Sequence, residues 1–155
     1  MSIERPTTSD GPRPLNTVVL LRETYTALNQ LAIDRLAERG HGAVRPAHGT
    51  VFQHLDDTGT TVSTLAERAR MTKQAMAELV TYLERHGYVT RQPDPSDRRA
   101  KLVIPTARGR DVVTIAQELV PEVERLIAET VGPHRAEALR KDLLALHARA
   151  TARPL

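Results

Sequence analysis

Apolar residues recur at steps of three and four over most of the chain and change to an extended pattern only in one interval past the middle. The expected structure is therefore mainly helical with a small β element. Between residues 15 and 39, Val18, Leu21, Tyr25, Leu28 and Ala32 fall on one helical face, and Leu20 and Leu31 widen it beyond what one intramolecular neighbour covers. Gly40-His41-Gly42 breaks that helix. Pro46 is tolerated in a first turn, which predicts a short second helix over residues 46–57 with Ala47, Val51 and Leu55 inward. After the turn at Thr58-Gly59-Thr60, Thr61-Val62 suggests a short strand. Ser63 or Thr64 then caps a third helix with Leu65, Ala66 and Ala69 inward; Thr64 and Glu67 have the capping-box spacing, and a register starting at Ser63 fits equally. Residues 1–14, with three prolines and no apolar period, predict a flexible arm.

The central stretch is the most informative. Thr72 is an N-cap candidate, Lys73, Gln74 and Ala75 follow as a first turn, and Met76, Leu79, Val80 and Leu83 form an apolar face. Gly87 supplies a stop. The opposite face carries Lys73, Gln74, Ala77, Glu78 and Thr81, side chains left free to read a partner. Residues 88–91 and 101–104 are rich in β-branched and aromatic residues, and the Pro- and Asp-containing segment between them favours a turn. The prediction is a hairpin with a long tip, in which Asp94 and Asp97 hold the guanidinium groups of Arg98 and Arg99.

Towards the C-terminus, Thr106 caps a long helix in which Val112, Ala116, Leu119, Val123 and Leu126 form a heptad-like seam. Gly132-Pro133 ends it and starts another, where Ala136, Leu139, Leu143, Leu146 and Ala150 repeat the seam. Both ends of the chain thus carry partner-seeking stripes, for which the economical arrangement is a two-fold homodimer; an intramolecular bundle is the alternative.

Charge sharpens the picture. Residues 68–110 contain ten Lys/Arg and four Asp/Glu, a net of +6, so the remainder is net −3 and the overall +3 conceals a concentrated basic region. A helix and an adjoining basic ribbon suit two neighbouring grooves of duplex DNA, whose phosphates require such a footprint.

Several short motifs here resemble one family. Asp94-Pro95-Ser96-Asp97-Arg98-Arg99-Ala100 followed by Pro105-Thr106-Ala107-Arg108-Gly109 is similar to the wing and wing exit of the multiple-antibiotic-resistance regulator (MarR) family of winged helix-turn-helix proteins. Leu65-Ala66-Glu67-Arg68 with Thr72-Lys73-Gln74-Ala75-Met76 resembles that family's helix-turn-helix, and residues 83–89 its helix-to-wing junction. Arg70 departs from the glycine many relatives have there, which bears on the turn, because a non-glycine residue resists positive φ. The implied fold is mainly α with a small β-hairpin wing. Its expected parts are an arm (1–14), a dimerisation helix and connection (15–45), a winged helix-turn-helix domain (46–105) and C-terminal dimerisation helices (106–155).

Composition removes other classes. The chain has no cysteine, so it has no disulfide or thiolate metal site. It has no apolar run of the roughly 20 residues needed to span a bilayer and no signal-peptide core, so a cytoplasmic location is expected and no membrane partner. One Phe, three Tyr and no Trp are poor provision for stacking single-stranded bases. His48 and His54 lie six apart, off the i, i+4 spacing of a helical metal pair, and no nucleophile, P-loop or dinucleotide fingerprint occurs, so neither an enzyme nor a cofactor is expected.

The sequence-level mechanism is sequence-specific binding of double-stranded DNA by a homodimer on a pseudopalindromic operator. Thr72, Lys73, Gln74, Ala77, Glu78 and Thr81 would face the major groove, with Gln74 suited to adenine and Lys73 to guanine or a phosphate. Glu78 would accept from a cytosine amino group or pair with an arginine. Ser63, Thr64 and Arg68 would hold phosphates. The resemblance places Arg98 in the minor groove, oriented by Asp94 or Asp97, with Arg99 and Lys101 nearby. It also implies a repressor released by a small-molecule effector, for which Tyr25, His48, Phe52 and His54 are candidate pocket residues. The competing reading is a winged-helix protein-interaction module that does not bind DNA.

Overall fold

Asn16 opens the first helix: its Oδ1 accepts from the Val19 N–H at 3.0 Å, satisfying one of the free donors of the first turn. In the computed structural model, which describes residues 7–9, 11–12, 15–97 and 99–152, this helix is α1, Thr17–Glu38. Its only buried residue is Leu36, so the wide apolar stripe read from the sequence stays uncovered in the protomer. Most of the predicted arm lies outside the described residues. The part that is described pairs as a small antiparallel ladder, β1 (Thr7–Thr8) with β2 (Gly11–Pro12), where a structureless arm was expected.

The second helix is shorter than the expected 46–57. Pro46–His48 form one 3-10 turn that leads into α2, Gly49–His54, and Leu55 is already extended. The tighter turn rotates the residues it carries, so His48 is buried and Ala47, expected inward, is exposed. β3 is Thr60–Thr61, one residue earlier than expected, and α3 is Val62–Arg68. Its cap is Thr61, whose Oγ1 accepts from the Thr64 N–H at 3.1 Å; Ser63 and Thr64, the expected caps, lie inside the first turn. Strand pairing places Thr61 at the helix mouth, a constraint that local spacing does not contain.

α4 is Lys73–Arg85, capped by Thr72 and followed by Gly87 at φ +74°. Tyr88 precedes the strand and is fully buried, whereas the sequence suggested it as the strand's first residue. β4 (Val89–Pro93) and β5 (Lys101–Pro105) form the hairpin, and β3 adds to the far side of β5, giving the antiparallel order β3-β5-β4. Thr60 pairs with Val103 and Arg91 with the same residue from the other side, which centres the sheet on a buried valine. Val51, Leu65, Met76, Val80, Leu83, Tyr88 and Val103 are fully buried and join the three helices to the sheet. Each contributes roughly 1.5–3 kcal/mol of transfer free energy.

α5, Ala107–Val131, leaves the sheet at a tightly bonded corner. Thr106 N–H donates to Tyr88 O at 3.0 Å, and its Oγ1 lies 2.6 Å from Gly87 O and accepts from the Gly109 N–H at 3.1 Å. Gly109 is required here because a Cβ at that position would overlap Tyr88 O. His41 Nε2 and Asp111 Oδ2, 2.8 Å apart, tie the end of α1 to the start of α5. The chain divides into two compact units, the first ending at Ala116 and the second beginning at Gln117. α6, Pro133–Ala152, belongs to the second, contains no buried residue, and is joined to α5 by Arg140–Glu124 at 2.8 Å.

Candidate nucleic-acid interface

Thr72 Oγ1 accepts from the Ala75 N–H at 3.2 Å, which fixes where α4 begins. Met76, Val80 and Leu83 are fully buried on one side, so the rotation of the helix about its axis is set by the core. That rotation leaves Thr72, Lys73, Gln74 and Glu78 exposed on the other side, with Gln74 Nε2 3.5 Å from Glu78 Oε1. Ala77 and Thr81 are only half-exposed. Thr81 is also not free as expected, because its hydroxyl accepts from Arg91 Nη2 at 3.1 Å.

Before this helix, Arg70 adopts φ +53° in the turn, and Met71 N–H donates to Ala66 O at 2.9 Å. The turn therefore keeps the left-handed geometry that suits glycine while holding a side chain that costs about 1–2 kcal/mol there. Arg68, expected to hold a phosphate, is bonded within the protein: Nη1 donates to His54 O at 2.8 Å and to Asp56 Oδ2 at 2.9 Å. The bond from Arg68 holds the Asp56 carboxyl below its ordinary value. Ser63 and Thr64 are half-buried, and Thr64 Oγ1 lies 3.0 Å from Thr61 Oγ1.

The hairpin tip is organised differently from expectation. Asp94 Oδ1 accepts from Ser96 N–H at 2.8 Å and Ser96 Oγ at 2.7 Å, and these bonds lower the Asp94 pKa. Asp97 Oδ1 accepts from the Arg99 N–H at 2.9 Å. Both carboxylates thus shape the backbone as local Asx turns; neither is bonded to the Arg99 guanidinium as the sequence suggested. Arg99 and Lys101 are exposed, and Arg98 lies outside the described residues. Sequence reasoning missed Arg91, whose ion pair with Glu84 and bond to Thr81 clamp β4 onto α4. Nothing in the pattern marks it, since a basic residue in a half-exposed strand is ordinary.

Of the candidate effector residues, Tyr25 lines a half-open cavity of about 360 Å³ with Asn29, Gln30, Pro46, Thr50 and Met71. His48, Phe52 and His54 do not line it. His48 is buried against Tyr82, Phe52 packs edge-on to Tyr88, and the His54 carbonyl receives Arg68. Among the described residues no cluster of His and carboxylates could hold a metal, and no helix is long and apolar enough to cross a membrane.

A three-helix unit with a three-stranded sheet, one helix exposing a polar face beside a basic hairpin, is a winged helix-turn-helix. A family model described as MarR family matches residues 44–100. The transcriptional regulator HosA of Escherichia coli O127:H6 is 28% identical over 123 residues, 77% of this chain and 89% of HosA. The Staphylococcus aureus MepR–DNA complex superposes with a TM-score of 0.69 at 19% identity, over 88% of this chain and 99% of MepR. A crystal structure of a MarR family transcription regulator gives 0.71 at 21% identity, over 88% and 86%. Residues 44–100 thus resemble the MarR family, and the curated relative that covers most of the chain is a transcriptional regulator.

Proposed function

We propose that this regulator binds a pseudopalindromic duplex as a homodimer and acts as a ligand-responsive repressor. The observation that carries the reading is the division of α4: three fully buried residues lock its orientation and turn Thr72, Lys73, Gln74 and Glu78 outward. In each subunit Gln74 and Lys73 read base edges or a phosphate in the major groove, with Thr72, Ala77 and Glu78 alongside. Arg98, Arg99 and Lys101 enter the neighbouring minor groove from the tip that Asp94 and Asp97 shape. Ser63 and Thr64 lie at the backbone, while Arg68, through its bonds to α2, serves position more than contact. MepR, a fold relative, has been solved with DNA.

Dimerisation is supported by apolar residues that each unit leaves uncovered. Val18 is 75% and Tyr25 66% exposed on α1, and Leu139, Leu143 and Leu146 are 40–51% exposed on α6. A second copy is the occupant that buries both stripes, with reading helices about one duplex turn apart. The cavity at Tyr25 is the effector site of this reading, because a ligand there favours one spacing of the reading helices over another.

Selection of bound duplexes from a random pool, followed by salt-titrated anisotropy, tests the proposal. The expected result is a palindromic consensus and a steep loss of affinity with salt, reduced in Lys73→Ala. Wild-type affinity in both Lys73→Ala and Arg98→Ala refutes the interface; salt-independent failure to bind any duplex favours a protein-interaction module.

A further inference from the structure

One cluster takes no part in reading DNA, yet it touches the reading helix. The His48 ring lies flat on Tyr82 of α4, centroids 4.5 Å apart, and Tyr82 stacks in turn on His86 at 4.1 Å. Arg45 places its guanidinium 5.4 Å from the Tyr82 centroid, and Tyr82 Oη donates to Ala43 O at 3.1 Å. The short turn before α2 is thus fastened to α4 through one buried imidazole. The atom that matters is His48 Nδ1, which accepts from the Arg45 N–H at 3.0 Å and so closes the capping bond of that turn. A nitrogen that accepts carries no proton, so this arrangement exists only with His48 neutral and its proton on Nε2.

We propose that His48 is a positioning residue for the reading helix that acts only in its neutral form, so that acidification loosens α4 and weakens DNA binding. Protonating Nδ1 sets two N–H groups head to head across 3.0 Å and places a cation in a nearly dry site. The charged groups acting on the ring are Arg45 from its own turn and His86 from α4, and neither offers a compensating negative charge. From α1, the residues that share a cavity with Pro46 are Tyr25, Thr26, Asn29 and Gln30, among which there is no carboxylate or basic side chain. At the far end of α2, Asp56 is already paired with Arg68. Burial first, then Arg45, then His86, lower the His48 pKa below 6.5. The sign follows: the stabilisation is complete above the ordinary imidazole value and is lost as pH falls through the lowered one.

The DNA consequence rests on the function proposed above, but it has a direction that ordinary electrostatics does not give. Protonating other histidines adds positive charge and tightens phosphate binding, so a loss on acidification is diagnostic. The test uses the full chain. Imidazole nitrogen NMR should show His48 as the Nε2–H tautomer at neutral pH, titrating below the ordinary imidazole value of 6.5. Urea unfolding and anisotropy on a selected duplex are then followed from about pH 7.5 to about pH 5.5, where an imidazole titrates. Wild type should lose stability, and affinity should fall several-fold. His48→Asn, whose Oδ1 replaces Nδ1 as acceptor without titrating, should flatten both profiles, with His86→Gln a weaker echo. An Nδ1–H tautomer, an ordinary titration, or affinity that holds or rises on acidification overturns the proposal. If no duplex binds at any pH, the DNA reading fails, and the NMR and unfolding profiles alone decide whether His48 fastens α4.

Discussion

α4 and α6 carry the same kind of apolar stripe and meet opposite fates. In α4, Met76, Val80 and Leu83 are fully buried, while in α6, at the same three- and four-residue spacing, Leu139, Leu143 and Leu146 remain 40–51% exposed. A periodic stripe therefore records a face suited to burial without recording what buries it. In α4 the partner is the chain's own core, and the polar face is what remains for function. In α6 the stripe itself is what remains. Burying three leucines is worth roughly 1.5–3 kcal/mol each, the driving force available to the proposed association.

The sharpest way to break this comparison is to charge the α6 stripe. Leu139→Glu with Leu143→Glu should leave helix content unchanged, because neither residue is buried in the protomer, and should convert a dimer to monomer by sedimentation velocity. Two charges in the centre of an apolar interface cost several kcal/mol. Palindrome binding should fall by two orders of magnitude or more in the same variant. An unchanged dimer would mean that the α6 stripe faces something other than a second copy.

The buried side of the comparison is tested next. Gly109→Ala places a methyl group against Tyr88 O, at the corner where Thr106 joins the hairpin to α5. Overpacking of this kind costs about 1–3 kcal/mol, read as a lower urea midpoint at unchanged slope. On the exposed face of α4, Lys73→Ala should weaken DNA binding by about tenfold or less and reduce the salt slope by about one, the signature of a lost cationic contact. Its stability should be unchanged.

These contrasts also show how much was legible beforehand. The helical segments, the stop at Gly87 and the hairpin could be read because each has a local cause: a cap, a period or a turn residue. α4 and its cap were legible for the same reason. The Thr61 cap was not, because the residue is held at the helix mouth by pairing with Leu102, forty-one positions away. Asp94 and Asp97 were placed at the tip, but their bonds to Ser96 and to the Arg99 N–H were not read, since an Asp two residues before a free N–H captures it at least as readily as it captures a guanidinium. The Arg91 clamp and the proposed role of His48 were not legible for a common reason. Their roles depend on which face of α4 the sheet and α2 approach, and only tertiary structure supplies that.

The smallest predicted effect concerns the turn between α3 and α4. Arg70 sits at φ +53° because Met71 must fold back to donate to Ala66 O, and an L side chain resists that conformation. Arg70→Gly removes the steric cost of about 1–2 kcal/mol and adds freedom to the unfolded chain that offsets much of it. The net expectation is a stabilisation of at most about 1 kcal/mol, a slight rise in the urea midpoint, with α4 geometry unchanged. Because Arg70 is exposed beside the reading helix, losing its charge should also lower DNA affinity slightly at low salt and not at high salt. A destabilised glycine variant would show that the arginine side chain makes a compensating contact, and that the turn is held by chemistry and not by backbone geometry alone.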